Sequence, residues 1–268
     1  MLKKLLMTGA AGGVGRALRP YLSRMAERVV LSDIVEVGEL APHESFQACE
    51  LSDRAGVEAL AEGVDGIIHL GGISLERPWK QILGANIEGA YNLFDAARLS
   101  GKPRIVFASS NHVTGYYGRE MRIGPQMPVR PDSLYGVSKA FGEALASLYF
   151  DKFELECLTV RIGWCFPKPK DMRTQAIYLA VEDLADLCER AFTAPRLGHT
   201  IVYGVSNNDE CWWDNSSAAF LGWKPKHSSA LWREEMLAAE PDWNPADPLV
   251  RFQGGGFAGS GHPDDPKG

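Results

Sequence analysis

The sequence predicts an α/β fold, a Rossmann-type doubly wound parallel sheet with a small C-terminal region packed on it. Three observations carry this expectation. Short apolar runs alternate with longer helical patterns up to about residue 162. The runs are continuously apolar, as in strands covered on both faces. A glycine cluster, Gly9, Gly12 and Gly15, separates the first run from the first helix. Strand and helix in alternation build right-handed βαβ units, hence a doubly wound sheet.

Residues 5–8 read as the first strand and 14–25 as the first helix. Residues 28–32 form a second strand ending at Asp33, and 46–49 a third. Ser52 is the expected N-cap of a helix over 53–61. Residues 66–70 read as the fourth strand, and 79–99 as a long helix weakened by Gly84 and Gly89. Residues 104–109, rich in β-branched and aromatic side chains, make a fifth strand. Residues 134–153 are helical and 155–161 form a sixth strand. Ligands in such sheets bind beyond the carboxyl ends of the strands. The residues following Thr8, Ser32, Leu70, Ala108 and Arg161 are therefore expected around one crevice.

After Gly163 the texture changes. Pro167 and Pro169 interrupt regular structure, 181–194 suggests a helix and 200–203 a strand. The expected division is a dinucleotide-binding domain over 1–162 and a smaller substrate-binding region over 163–268 that covers the crevice. The Gly/Pro-rich tail from Gly254 is expected to be poorly ordered beyond Phe257.

Composition excludes several classes. Hydrophobic residues make up 45% and charged residues 23% of 268, which is globular. No apolar run approaches the roughly 20 residues of a membrane helix. Leu5-Leu6-Met7 falls short of the apolar stretch of a secretory signal, about 7 to 15 residues. A net charge of −6 argues against a nucleic-acid partner. The five cysteines are scattered without a C-x-x-C, and the histidines form no H-E-x-x-H. Neither a disulfide framework nor a metal site is expected, and a cytoplasmic setting follows by default.

Thr8-Gly9-Ala10-Ala11-Gly12-Gly13-Val14-Gly15 lies between strand and helix. Residues without Cβ atoms let the backbone turn tightly and approach a pyrophosphate. The helix N-terminus then offers free N–H donors to the phosphates. Asp33 ends the second strand 18 residues beyond Gly15. A carboxylate there accepts both hydroxyls of an adenosine ribose and repels a 2′-phosphate, which favours NAD over NADP.

Tyr135-Gly136-Val137-Ser138-Lys139 places a phenol and an ammonium four residues apart, on one face of a helix. Ser109-Ser110 ends the fifth strand, and Asn86, a candidate cofactor contact, sits in the preceding helix. A phenol with a pKa near 10 is a poor base at neutral pH, and a neighbouring cation favours its phenolate. The expected roles are base for Tyr135, electrostatic and ribose partner for Lys139, and holder of a substrate hydroxyl for Ser110.

With these residues in place the chain resembles the extended short-chain dehydrogenase/reductase family, and within it the uronate dehydrogenases. The shared stretches are TGAAGGVG, HLGGIS, KPRIVFASSNH, RPDSLYGVSK, VRIG, WWDN, FLGWKP and VRFQGG, and they run almost end to end. The resemblance implies NAD-dependent oxidation of the anomeric carbon of glucuronate or galacturonate to the aldarolactone, with Tyr135 as base. It implies NAD contacts at Gly13, Val14, Asp33, Ile34, Glu50, Leu51, Leu70, Gly71, Gly72 and Cys165. It implies sugar-acid contacts at Ser74, Ser110, Asn111, His112 and Arg173, with Arg173 on the carboxylate, a task suited to a guanidinium fork. A homo-oligomer pairing through the two long helices is also implied.

Three positions depart from the family pattern: Trp164 where a serine is usual, Ala180 in a stretch usually more polar, and Glu50 where an aspartate meets the adenine. An indole cannot replace a small hydroxyl donor, and Trp164 would reshape the pocket if it filled it. Two other readings therefore stay open: a dehydrogenase of another sugar, and a nucleotide-binding protein without turnover.

Overall fold

The apolar run Leu5 to Met7 sits in the middle of strand β1 (Leu2–Thr8), and all three side chains are fully buried. In this computed structural model, which describes residues 1–239, 244 and 246–265, β1 is a central strand of a seven-stranded sheet. The elements that follow it are α1 (Gly13–Leu18), β2 (Ala26–Asp33), β3 (Glu44–Ala48), α2 (Arg54–Ala61), β4 (Gly66–His69), α3 (Trp79–Ile82), α4 (Gly89–Leu99) and β5 (Arg104–Ser110). Then come α5 (Leu134–Phe153), β6 (Cys157–Ile162), α6 (Met172–Ala176), α7 (Val181–Thr193), β7 (His199–Gly204), α8 (Arg233–Ala239), α9 (Pro248–Arg251) and α10 (Gly256–Gly259). The strand order is β3-β2-β1-β4-β5-β6-β7, and every pairing is parallel. This is the doubly wound architecture that the alternation of elements predicts.

Two apolar layers cover the sheet. On one face α1 and α7 pack against Leu5, Met7, Val160 and Val202. On the other, α2, α4 and α5 pack against Leu6, Ile67, Ile105 and Phe107. Both faces are therefore buried, which explains the continuous apolar strands.

The structure corrects several local expectations. The helix expected over 14–25 ends at Leu18 and continues as a tight 3₁₀ turn, Arg19–Arg24. Pro20 has no N–H to return to the carbonyl of Arg16, so the α-helical ladder stops there. Helix α2 is capped by Asp53, not Ser52: the Asp53 carboxylate accepts from Gly56 N at 3.2 Å. The helix expected over 79–99 is interrupted by a π turn, Leu83–Glu88, between α3 and α4. Helix α5 spans the 20 residues that its sequence predicts.

Strand β7 and helix α7, both beyond Gly163, complete the main sheet and its cover. The remaining C-terminal segments form their own cluster with the loop after β5, built on Tyr117, Ile123, Ile177, Tyr203, Val205 and Trp213. The tail is more structured than its composition suggests. Residues 256–259 form a helical turn, and Asp264 accepts from Trp79 N at 3.3 Å. Residues 266–268 lie outside those described. Among the described residues no helix is long and apolar enough to cross a membrane.

Candidate active site

The carboxyl ends of β1, β2, β4, β5 and β6 lie side by side, so the segments that leave them share one edge of the sheet. The glycine turn leaves β1. Gly9 has φ +72°, and a Cβ on it would lie 2.5 Å from the carbonyl carbon of Leu70 after β4. Only glycine allows both that conformation and that approach. Gly12 caps α1 without a side-chain hydrogen bond, so the first N–H groups of α1 have no side-chain acceptor. Gly13 and Val14 are the first residues of this helix. Asp33, at the end of β2, accepts from Ala11 N at 2.9 Å and so braces the turn it is expected to serve.

These residues fit a dinucleotide: a glycine cradle, an uncapped helix start and a carboxylate at the next strand end. Leu70 and Gly71 close the cradle from the β4 side, where Gly71 N donates to Thr8 Oγ1 at 3.3 Å. Leu51 packs over Gly71, Cys165 is buried in the core cluster that also holds Ala10, and Ile34, next to Asp33, and Glu50, next to Leu51, are exposed. Asn86 is engaged otherwise than expected. Its oxygen accepts from Ile73 N at 2.8 Å, and its nitrogen donates to Ile73 O at 3.0 Å and Ser138 Oγ at 2.9 Å. Both amide hydrogens are committed, so Asn86 ties the loop carrying Gly72 and Ser74 to the N-terminal part of α5.

Helix α5 brings Tyr135 and Lys139 to the same edge. Ser133 caps it through Gly136 N at 2.9 Å. The Glu76 carboxylate, from the loop after β4, accepts from Leu134 N and Tyr135 N, each at 2.9 Å. An anion at a helix start is favourable on both hydrogen-bonding and dipole grounds. Glu76, absent from the sequence reading, thereby locks the start of α5 to the Ser74 loop. The Lys139 ammonium lies 5.2 Å from the Phe107 ring centroid and 5.9 Å from that of Tyr135.

The electrostatics correct one expectation. Burial pushes the Tyr135 phenol up to about 12; its hydrogen bond with Ser110 opposes this, and Asp132 adds to it. Lys139 does not overcome that desolvation with the chain's own groups alone. Burial also brings the Lys139 ammonium down to about 8. The folded state therefore disfavours the lysine's charge, and the sign for stability follows. Between about pH 8 and pH 10.5 the unfolded chain binds more protons, so stability rises with pH across that window. At neutral pH the cost is on the order of 3 kcal/mol. Lys139→Met, nearly equal in volume, should raise the melting temperature at pH 7 and abolish activity. A lower melting temperature in calorimetry would show that the ammonium stabilises the fold.

The sugar-acid candidates form a second cluster. Ser110 ends β5, and its hydroxyl accepts from His112 N at 3.2 Å. The Asn111 amide is satisfied in one orientation, with its nitrogen donating to Ile162 O at 3.2 Å and its oxygen accepting from Arg173 Nη2 at 3.1 Å. Arg173 Nε donates to Gln253 O at 2.8 Å. The His112 ring lies 4.0 Å from that of Phe257, nearly parallel, and edge-on to Tyr135 at 5.8 Å. Ser74 is exposed on its loop. Phe257 and Asp132 were not legible as site residues: Phe257 enters from the tail, and Asp132, although inside RPDSLYGVSK, meets His112 only through tertiary folding.

The Trp164 backbone pairs with the segment around Tyr178, and its side chain packs against the C-terminal apolar cluster and its own loop. Its indole donates to Lys168 O at 2.9 Å, packs 4.4 Å from Phe166 and lies under the Lys170 ammonium at 4.9 Å. Among the described residues no group of His, Cys, Asp and Glu side chains could hold a metal ion.

Comparison with known proteins agrees with this geometry. Residues 5–174 match the NAD dependent epimerase/dehydratase family. A uronate dehydrogenase of Agrobacterium fabrum is 51% identical over 96% of this chain and 97% of its own length. The crystal structure of a glucuronic acid dehydrogenase from Chromohalobacter salexigens is 59% identical, with a TM-score of 0.98 over 99% of this chain and 100% of that one. A structure of the Agrobacterium tumefaciens uronate dehydrogenase, a Tyr-to-Ala mutant complexed with NAD, is 50% identical, with a TM-score of 0.93 over 98% of each chain. Coverage is close to complete on both sides, so the likeness is one of whole proteins. The chain belongs to the NAD dependent epimerase/dehydratase family and, within it, to the uronate dehydrogenases.

Proposed function

We propose that this chain oxidises the anomeric carbon of a hexuronic acid, glucuronate or galacturonate, to the aldarolactone with NAD as acceptor. The observation that carries the reading is Arg173. Arg173 is half-buried, its hydrogen-bond partners are a carbonyl and an amide oxygen, and the carboxylates of Asp171 and Asp132 act on it from a distance without forming an ion pair among the described residues. Burial brings its pKa down to about 10, the mark of a desolvated cation. Such a group gains most from a carboxylate delivered by a ligand.

NAD, when bound, supplies the hydride acceptor and a positively charged ring. Tyr135 takes the proton of the C1 hydroxyl, with Ser110 holding that hydroxyl in line and the Lys139 ammonium favouring the phenolate. Asn111, His112 and Ser74 bind sugar hydroxyls. Arg173 takes the remote carboxylate and so orients C1. Gly9, Gly12, Gly13, Val14, Asp33, Leu70 and Gly71 hold the dinucleotide; Ile34, Glu50, Leu51, Gly72 and Cys165 line it.

A cytoplasmic setting is part of the proposal, supported by five cysteines that are all free. So is pairing of two copies across α4 and α5, supported by the exposed side chains of Tyr91, Val137 and Leu148. Arg173→Ala should raise KM for glucuronate by roughly 100-fold, the worth of a charge-assisted pair, and leave KM for neutral aldoses within a few-fold. An equal effect on both substrate classes would remove the carboxylate role.

A further inference from the structure

We propose that Asp132 is a positioning residue that fixes the tautomer of His112, so that the imidazole offers a bare Nε2 acceptor to a sugar hydroxyl. The direction of Nε2 toward a sugar rests on the proposed function; the tautomer itself does not.

The Asp132 side chain has no solvent exposure, and its Oδ2 lies 2.8 Å from His112 Nδ1. Its other oxygen accepts from Ser133 Oγ at 2.8 Å. A carboxylate accepts and does not donate, so the proton of the neutral imidazole sits on Nδ1. Nε2 then carries a lone pair. Phe257 fixes the plane of the ring at 4.0 Å and 17°, and the edge-on contact with Tyr135 fixes its tilt.

The carboxylate is itself immobilised. Gly115 and Gly254, 139 residues apart, are joined by a backbone hydrogen bond of 2.8 Å from Gly254 N to Gly115 O. A Cβ on either glycine would overlap Asp132 Oδ2. Two distant segments, each with a glycine at the contact, thus close around the Asp132 side chain and hold it in place. Asp132 makes its side-chain hydrogen bonds to His112 and Ser133, and its charge also reaches Tyr135 and Arg173. The consequence is chemical: the hydroxyl that meets His112 must donate to it, and its own lone pairs are left for the donors beside it.

Side-chain ¹⁵N spectra of the full chain, recorded at alkaline pH, test this. The His112 signal is assigned by its loss in His112→Gln. The expected wild-type spectrum has the proton on Nδ1. In Asp132→Asn the Ser133 hydroxyl keeps the amide oxygen on its side, the amide nitrogen faces Nδ1, and the proton moves to Nε2. The same variant should raise KM for uronate about ten-fold, while kcat should not fall, because the charge that disfavours the Tyr135 phenolate is gone. A wild-type proton on Nε2, or a variant with an unmoved proton, overturns the assignment. A moved proton with unchanged KM overturns the role toward substrate. The wild-type spectrum decides the tautomer even if the variant does not fold. A chain that oxidises no uronate leaves that spectrum equally decisive, and so separates the two readings.

Discussion

Tyr135→Phe is expected to lower kcat for uronate oxidation about 10³-fold, within the range for removal of a general base, and to leave NAD affinity within a few-fold. The variant removes one oxygen and its hydrogen bond with Ser110, and keeps the edge-on packing of the ring against His112 and Phe257. The pH profile sharpens the test. Burial holds the phenol near 12, so the reactive form becomes more accessible as pH rises, and kcat/KM should climb through the neutral range. Above about pH 8 Lys139 loses its proton, the supporting cation disappears, and the profile should bend over. The residual activity of Tyr135→Phe should lack the rising limb. Near-wild-type turnover, or a rising limb preserved in the variant, would assign the proton to another group.

Glu143→Ala is expected to cost about 3 to 5 kcal/mol of stability, because it strands a buried guanidinium. Arg161 and Glu143 are 1% and 5% exposed and form a two-pronged ion pair, Nε to Oε1 at 2.9 Å and Nη2 to Oε2 at 2.8 Å. Ser109 Oγ donates to the same carboxylate at 2.6 Å, and Arg161 Nη1 donates to the Tyr203 hydroxyl at 3.0 Å. Tyr203 in turn meets Thr114 Oγ1 at 3.0 Å. One network therefore joins β5, α5, β6 and β7 beneath the Ser110–His112 turn. For a chain of this size the melting temperature should fall by about 10 °C. The double variant Glu143→Leu, Arg161→Met should recover most of the loss, because neither charge is then left alone. A double variant as unstable as Glu143→Ala would show that packing, not the stranded charge, carries the effect.

The parts of the molecule that were legible in the sequence are those with a local physical signature. Continuous apolar runs located the strands, because a sheet covered on both faces has no polar alternation. The glycine turn located the cradle, and the four-residue spacing of Tyr135 and Lys139 held because α5 is a regular helix. Boundaries slipped where a single backbone group decided them, at Pro20 and at Asp53. The electrostatics were not legible: spacing gives neighbours but not burial, and burial is what pushes the phenol up and the ammonium down. Asp132, Glu76, Glu143 and Phe257 were missed for a different reason. Each acts on a residue that tertiary folding alone brings to it, as when Phe257 crosses from the tail to stack on His112.

The central claim is that a buried tyrosine beside a dinucleotide cradle takes the hydroxyl proton of a sugar that carries a carboxylate, with NAD as the hydride acceptor. Initial rates of NADH formation by the wild-type chain, across glucuronate, galacturonate and the matching neutral aldoses, test it most directly. The expected result is saturable NADH formation with the uronates, at least 100-fold lower kcat/KM for glucose and galactose, and little rate when NADP replaces NAD. Equal efficiency on the neutral aldoses, or NAD binding without NADH formation from any uronate, would contradict it.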